Sequence, residues 1–183
     1  MGRALLGHAA VDRATARRGR SVVVPVLVCA GALVLLLGTF VVEPVAVPTG
    51  SMSPTLRAGD HVLVNKLAYR FGEPRRRDLV VFRSAASGDL LLKRVVGVGG
   101  DRVGVEDGVL RVNGRAVREP FVDRRLVDSV YFGPVRVPGG SVFVMGDRRS
   151  NSVDSRTFGP VPRSRVVGRV DARVWPPGRA GGV

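Results

Sequence analysis

The chain has 183 residues, room for one domain of ordinary size and an appendage. Its 29 lysines and arginines face 15 aspartates and glutamates, giving a net charge of +14. That charge suits nucleic acid, an anionic membrane surface or an acidic wall polymer without choosing among them. A single cysteine, Cys29, excludes an intramolecular disulfide framework, so the fold must rest on core packing.

The first twenty residues carry Arg3, Arg13, Arg17, Arg18 and Arg20 against Asp12 alone. Residues 21–42, SVVVPVLVCAGALVLLLGTFVV, then run without a charge. About 20 such residues let a helix cross the hydrocarbon core. Pro25 falls near the start of the run, where a missing N–H is tolerated. A cleaved secretory signal also begins basic, but its apolar core spans only about 7–15 residues and ends at small residues. Here Glu43, Pro44, Val45, Ala46 and Val47 follow instead, so residues 21–42 are expected to be an uncleaved anchor. The positive-inside rule leaves residues 1–20 as a cytoplasmic tail and everything from Glu43 outside. A single-pass protein of the cell membrane follows, and nucleic acid is not an expected partner.

From residue 43 the pattern reads as β. Residues 60–64, 78–83, 89–98 and 141–145 are short, rich in Val and Leu, and bounded by Gly, Pro or Asp. Asp107-Gly108 and Asn113-Gly114 are two-residue hairpin signals, because glycine accepts positive φ. They predict a small three-stranded meander around 102–118. Residues 165–175 alternate as a closing strand. No helical periodicity exceeds two turns. The expected fold class is mainly β: an antiparallel catalytic domain over 43–176 on a single N-terminal transmembrane helix, with a loose tail at 177–183.

Chemistry enters through the serines of GSMSPTL, residues 50–56. A serine hydroxyl is a poor nucleophile until a base takes its proton. His8 lies in the basic tail and His61 in a predicted strand, neither with triad neighbours. Lys93 interrupts the apolar strand LLLKRVVGV. Period-2 alternation puts Leu91, Lys93 and Val95 on one face and Leu92, Arg94 and Val96 on the other. A lysine on an inward face loses solvation, which disfavours its charged form, and a neutral amine can serve as a general base. Arginine cannot do this. Lys66 and Lys93 are the only lysines in the chain. On the charge pattern alone, snorkelling of Lys93 to solvent at a sheet edge remains an alternative.

Three stretches, PTGSMSPTL at 48–56, KRVVGVGGD at 93–101 and GDRRSNSVDSR at 146–156, together resemble bacterial type I signal peptidases, the membrane-bound Ser/Lys endopeptidases. The resemblance covers roughly residues 25 to 170, with the motifs in the family's order. It implies that Ser51, directly before the methionine, is the nucleophile and that Ser53 is not. It implies that Lys93 is the general base and that Ser152 orients it. Thr49, two residues before the nucleophile, would form the oxyanion hole with the Ser51 N–H, and Gly50 would allow close backbone approach. Asp154 and Arg156 would be a supporting ion pair, and Gly146 and Asp147 support the same loop. The family commonly reads G-D-N-R-D-N-S where this chain has Gly146-Asp147-Arg148-Arg149-Ser150-Asn151-Ser152. Arg148 and Ser150 are therefore departures, at positions the proposed chemistry does not use.

The resemblance further implies cleavage of exported preproteins after small residues, the A-x-A pattern, with the signal peptide bound as an extended strand. Membrane lipids and nearby export machinery are the other expected partners. No cofactor and no metal are expected, since no His or Cys has metal-ligand spacing. The nine residues from Val42 to Ser51 span at most roughly 30 Å, which keeps Ser51 near the outer membrane surface. Val45, Val47, Leu56 and Leu92 are candidate substrate-pocket residues. Three rival readings stay open: a dedicated peptidase maturing a pilus or conjugation protein, a self-cleaving repressor of similar fold and dyad, and a non-enzymatic basic β module binding anionic wall polymers.

Overall fold

A computed structural model describes residues 22–33, 38, 41–122 and 131–183 of the chain. The chain divides into two compact units, residues 1–41 and residues 42–183. In the first unit, residues 22–33 are helical and their side chains are exposed. No helix among the described residues is long and apolar enough to cross a membrane. The expected cytoplasmic tail, and residues 21, 34–37, 39 and 40 of the expected anchor, lie outside the described residues. Val42, the last residue of that apolar run, opens the first strand of the second unit.

The second unit is mainly antiparallel β. Its strands are β1 (Val42–Ala46), β2 (His61–Asn65), β3 (Leu79–Arg83), β4 (Leu90–Val98), β5 (Arg102–Glu106), β6 (Val109–Val112), β7 (Arg115–Ala116), β8 (Tyr131–Arg136), β9 (Ser141–Met145), β10 (Val161–Pro162), β11 (Val166–Trp175) and β12 (Gly181–Gly182). One sheet runs β1-β2-β11-β3-β4-β9-β10, with β12 added on β11. The other runs β7-β6-β5-β8. The two hairpin signals act as expected. Asp107 and Gly108 both take positive φ between β5 and β6, as do Asn113 and Gly114 between β6 and β7. A type I′ turn needs that conformation at both central residues, and its twist matches the strands it joins.

Alternation along β4 divides its side chains among three apolar clusters. Leu92 packs against the cluster of Met52, Leu56, Val62, Val64, Leu79 and Val81. Val96 joins Val103, Leu110 and Phe143. Leu91 and Val95, on either side of Lys93, pack with Val80, Phe82 and Val144. Each large apolar side chain buried here contributes about 1.5–3 kcal/mol relative to exposure. Lys93 therefore sits in the middle of a buried row, 4% exposed.

The C-terminal residues expected to be loose are instead tied down. Gly181 and Gly182 pair with Arg173 and Ala172 of β11. Arg179 donates to Asp60 Oδ1 at 2.9 Å. These backbone and ion-pair contacts make residues 177–182 part of the sheet's margin. Composition alone, rich in Gly and Pro, hides them.

Candidate active site

The motif around Ser51 is built on apolar pegs. Gly50–Met52 form a single 3₁₀ turn, entered from an extended Thr49. Met52 and Leu56 are 1% and 0% exposed in the first cluster. Ser53 N donates to Gly50 O at 3.0 Å and Leu56 N to Met52 O at 2.9 Å. The methionine and leucine of the motif thus fix the turn, and the turn presents Ser51. Its Oγ accepts from Lys93 Nζ at 2.8 Å and from Thr49 Oγ1 at 3.2 Å. Ser51 is itself 7% exposed.

Burial pushes the Lys93 amine below the ordinary lysine range, while the charges of Asp154 and Asp147 pull it back up. Desolvation wins. Among the described residues no histidine joins them: His61 is exposed on β2 and pairs with Ala46 of β1.

The segment 146–156 forms the floor of the site. Arg148 N donates to Ser51 O at 3.0 Å. Gly146 sits where no side chain fits. A Cβ there would lie 2.3 Å from Ser152 Oγ and 2.7 Å from Ser51 O. Gly50, by contrast, has room for a Cβ, with its nearest neighbour 3.6 Å away, so its expected role in close approach does not hold. Asp154 is fully buried and takes three kinds of donor. Gly146 N reaches its Oδ2 at 3.0 Å, Arg156 N its Oδ1 at 3.2 Å, and the Arg156 guanidinium spans both oxygens at 2.9 and 3.0 Å. Burial alone would raise the Asp154 carboxyl. The Arg156 guanidinium and the Gly146 N–H outweigh it and hold the group below the usual carboxylate range. The expected Asp154–Arg156 pair is thus a buried hub that caps the short helix Ser155–Phe158.

A second buried pair was not foreseen. Alternation placed Arg94 opposite Lys93 without assigning it a role. Its guanidinium grips both oxygens of Asp147 at 2.8 and 2.7 Å, donates to Arg77 O at 3.0 Å and lies 3.9 Å from the Phe121 ring centre. Thr55 also donates to Asp147, at 2.5 Å. The pair ties β4 and the Ser51 turn to the floor. Its signal in the sequence was the arginine beside Lys93 in an otherwise apolar strand.

The model of the family described as signal peptidase, peptidase S26, matches residues 20–175. The chain belongs to this family. It is 41% identical to signal peptidase I of Bacillus caldolyticus over 87% of this chain and 92% of that one. It is 38% identical to signal peptidase I of Leptolyngbya laminosa over 81% of this chain and 77% of that one. A solved signal peptidase I from Enterococcus faecalis V583 is 32% identical, with a TM-score of 0.48, over 54% of this chain and 97% of that one.

In this S26 chain Ser152 lies against Gly146, and its hydroxyl is among the groups that hold the Asp154 carboxyl below its usual range. The expected contact to Lys93 is not made here. Of the two departures from the family pattern, Arg148 has a buried Nε without a partner, while Ser150 is exposed.

A cavity of about 730 Å³ opens on Thr49, Ser51 and Lys93. Phe82, Leu91, Phe158, Pro160 and Val161 give it apolar walls. The expected pocket residues do not line it. Val47 and Leu56 are core, and Val45 and Leu92 pack against that core. The wall residues were missed because they come from three separate stretches, at 82, 91 and 158–161, that only the fold brings together.

Proposed function

We propose that this chain is a type I signal peptidase in which Ser51 is the nucleophile and Lys93 its general base. The observation that carries the reading is a buried lysine amine, shifted toward its neutral form, 2.8 Å from a serine hydroxyl in a cavity. That is hydrogen-bond reach for general-base catalysis, with the base tuned toward working pH.

Neutral Lys93 takes the proton of Ser51, and Ser51 Oγ attacks the carbonyl carbon of the last signal-peptide residue. The Thr49 hydroxyl and the Ser51 N–H stabilise the tetrahedral oxyanion, the kind of electrostatic help that pre-positioned donors supply. As the C–N bond breaks, Lys93 returns the proton to the leaving amine of the mature chain. A water, deprotonated by Lys93, then hydrolyses the ester. Ser152 is assigned as the group that orients Lys93. Ser152 and Lys93 both interact with the Asp154 carboxylate, which supports a role for the hydroxyl beside the amine.

The substrates in this reading are exported preproteins cut after small residues. Residues 21–42 act as the membrane anchor, with the catalytic unit outside the cell membrane near lipid and export machinery. Purified enzyme in liposomes, a preprotein with an A-x-A site, and the variants Lys93→Arg and Ser51→Ala provide the test. Cleavage by the wild type and silence of both variants is the expected result. Equal cleavage by Lys93→Arg removes the lysine from the base role, since arginine stays protonated. No cleavage of any preprotein by the wild type shifts weight to a dedicated substrate or to wall-polymer binding.

A further inference from the structure

Two arginines, Arg83 and Arg165, line the same cavity as Ser51 and Lys93 and are exposed to solvent. Arg83 ends β3. Arg165 immediately precedes Val166, the register partner of Phe82. Arg165 ends the 3₁₀ turn Arg163–Arg165, so the two arginines each adjoin one member of the Phe82–Val166 pair. No carboxylate among the described residues lines the cavity. Neither guanidinium makes a hydrogen bond or an ion pair among the described residues. Arg76, Arg163 and Arg169 have Asp101, Glu73 and Asp171 as partners, whereas Arg57, Arg70, Arg102 and Arg136 are, like Arg83 and Arg165, exposed without an ion pair among the described residues. What distinguishes Arg83 and Arg165 is their place on the lining of the reactive cavity.

We propose that Arg83 and Arg165 form a specificity subsite that binds the carboxylate of an aspartate or glutamate in the preprotein chain flanking the scissile bond. The proposal rests on the peptidase reading above. A guanidinium matches a carboxylate in charge and in planar donor geometry, and the cavity lining supplies two. Serines 84 and 87 and alanines 85 and 86, which line the cavity between the two walls, leave room for the acidic side chain.

The test uses the full-length enzyme in non-ionic detergent. Peptides carry one A-x-A site and a single Glu, or a matched Gln, moved through the four positions on each side of the cut. The readout is the Glu/Gln ratio of kcat/KM, measured within each enzyme so that partial loss of folded protein cancels. For the wild type, one position gives a ratio of about ten, as expected for a hydrogen bond to a charged group. The ratio falls as salt rises. In Arg83→Gln/Arg165→Gln it drops to about one. In Arg83→Glu/Arg165→Glu a Lys peptide is preferred at that position. A ratio near one at every position in the wild type, or a ratio unchanged in the double Gln variant, overturns the proposal. So does a wild type whose cleavage of Glu and Gln peptides is raised equally by phosphatidylglycerol vesicles and whose stimulation the double variant loses, because the arginines then serve lipid headgroups. If the wild type cuts no peptide at all, the peptidase reading itself fails, which is a different result from a flat ratio.

Discussion

Lys93 faces two opposing demands. Its reaction requires a proton acceptor, and its strand requires a side chain that tolerates burial among Leu91, Val95 and Val80. Both favour the neutral amine. Activity is therefore expected to rise with pH through a lysine pKa below the ordinary 10.5 and then level off. A kcat/KM profile checks this, and a rise centred at 10.5 would contradict it. Stability has the same sign. The unfolded chain holds the lysine proton up to its ordinary pKa while the folded chain releases it lower, so stability increases with pH between those two values. Lys93→Met keeps the length and removes the titration. It should lower kcat/KM by about 10³-fold or more and raise the unfolding free energy by about 1–2 kcal/mol at neutral pH. Denaturant melts of the two proteins measure the gain.

Among elements, the 146–156 segment depends on one position without a side chain. Gly146→Ala pushes a methyl into both Ser51 O and the Ser152 side chain. The expected cost is about 1–3 kcal/mol of stability, with about 10²-fold lower activity from displacement of Ser51. Thermal melts and peptide cleavage read the two effects separately. The main strands were legible because alternation and turn residues are local signals. Lys93 on β4 and the two type I′ hairpins fall where the pattern put them, and β2, β3, β9 and β11 begin within one residue of expectation. The strand at Tyr131–Arg136 was not foreseen, since Gly133 and Pro134 interrupt any alternation. Arg94 was misjudged for a related reason. Period 2 says which face a side chain takes, but not that Asp147, far along the chain, waits on that face.

At the scale of the molecule, all three apolar clusters are built from residues after Val42. A fragment of residues 42–183 is accordingly expected to fold alone, with a melting temperature within about 4 °C of the full chain. It should cleave a short peptide in detergent while losing rate on preproteins in liposomes. Calorimetry and the two assays decide it. The site was legible in part: Ser51, Lys93 and Thr49 meet, but the cavity walls do not follow from any motif. The high arginine content also takes on a second meaning. Arg94, Arg149 and Arg156 are each buried or nearly so, and each holds the floor beneath Ser51, Arg149 by donating to Gly146 O at 3.0 Å. A guanidinium offers five donors in one fixed planar fork. The side chains that aim Ser51 are thus of a different chemistry from the amine that moves its proton, so substitutions in the frame and at the base separate aim from proton transfer.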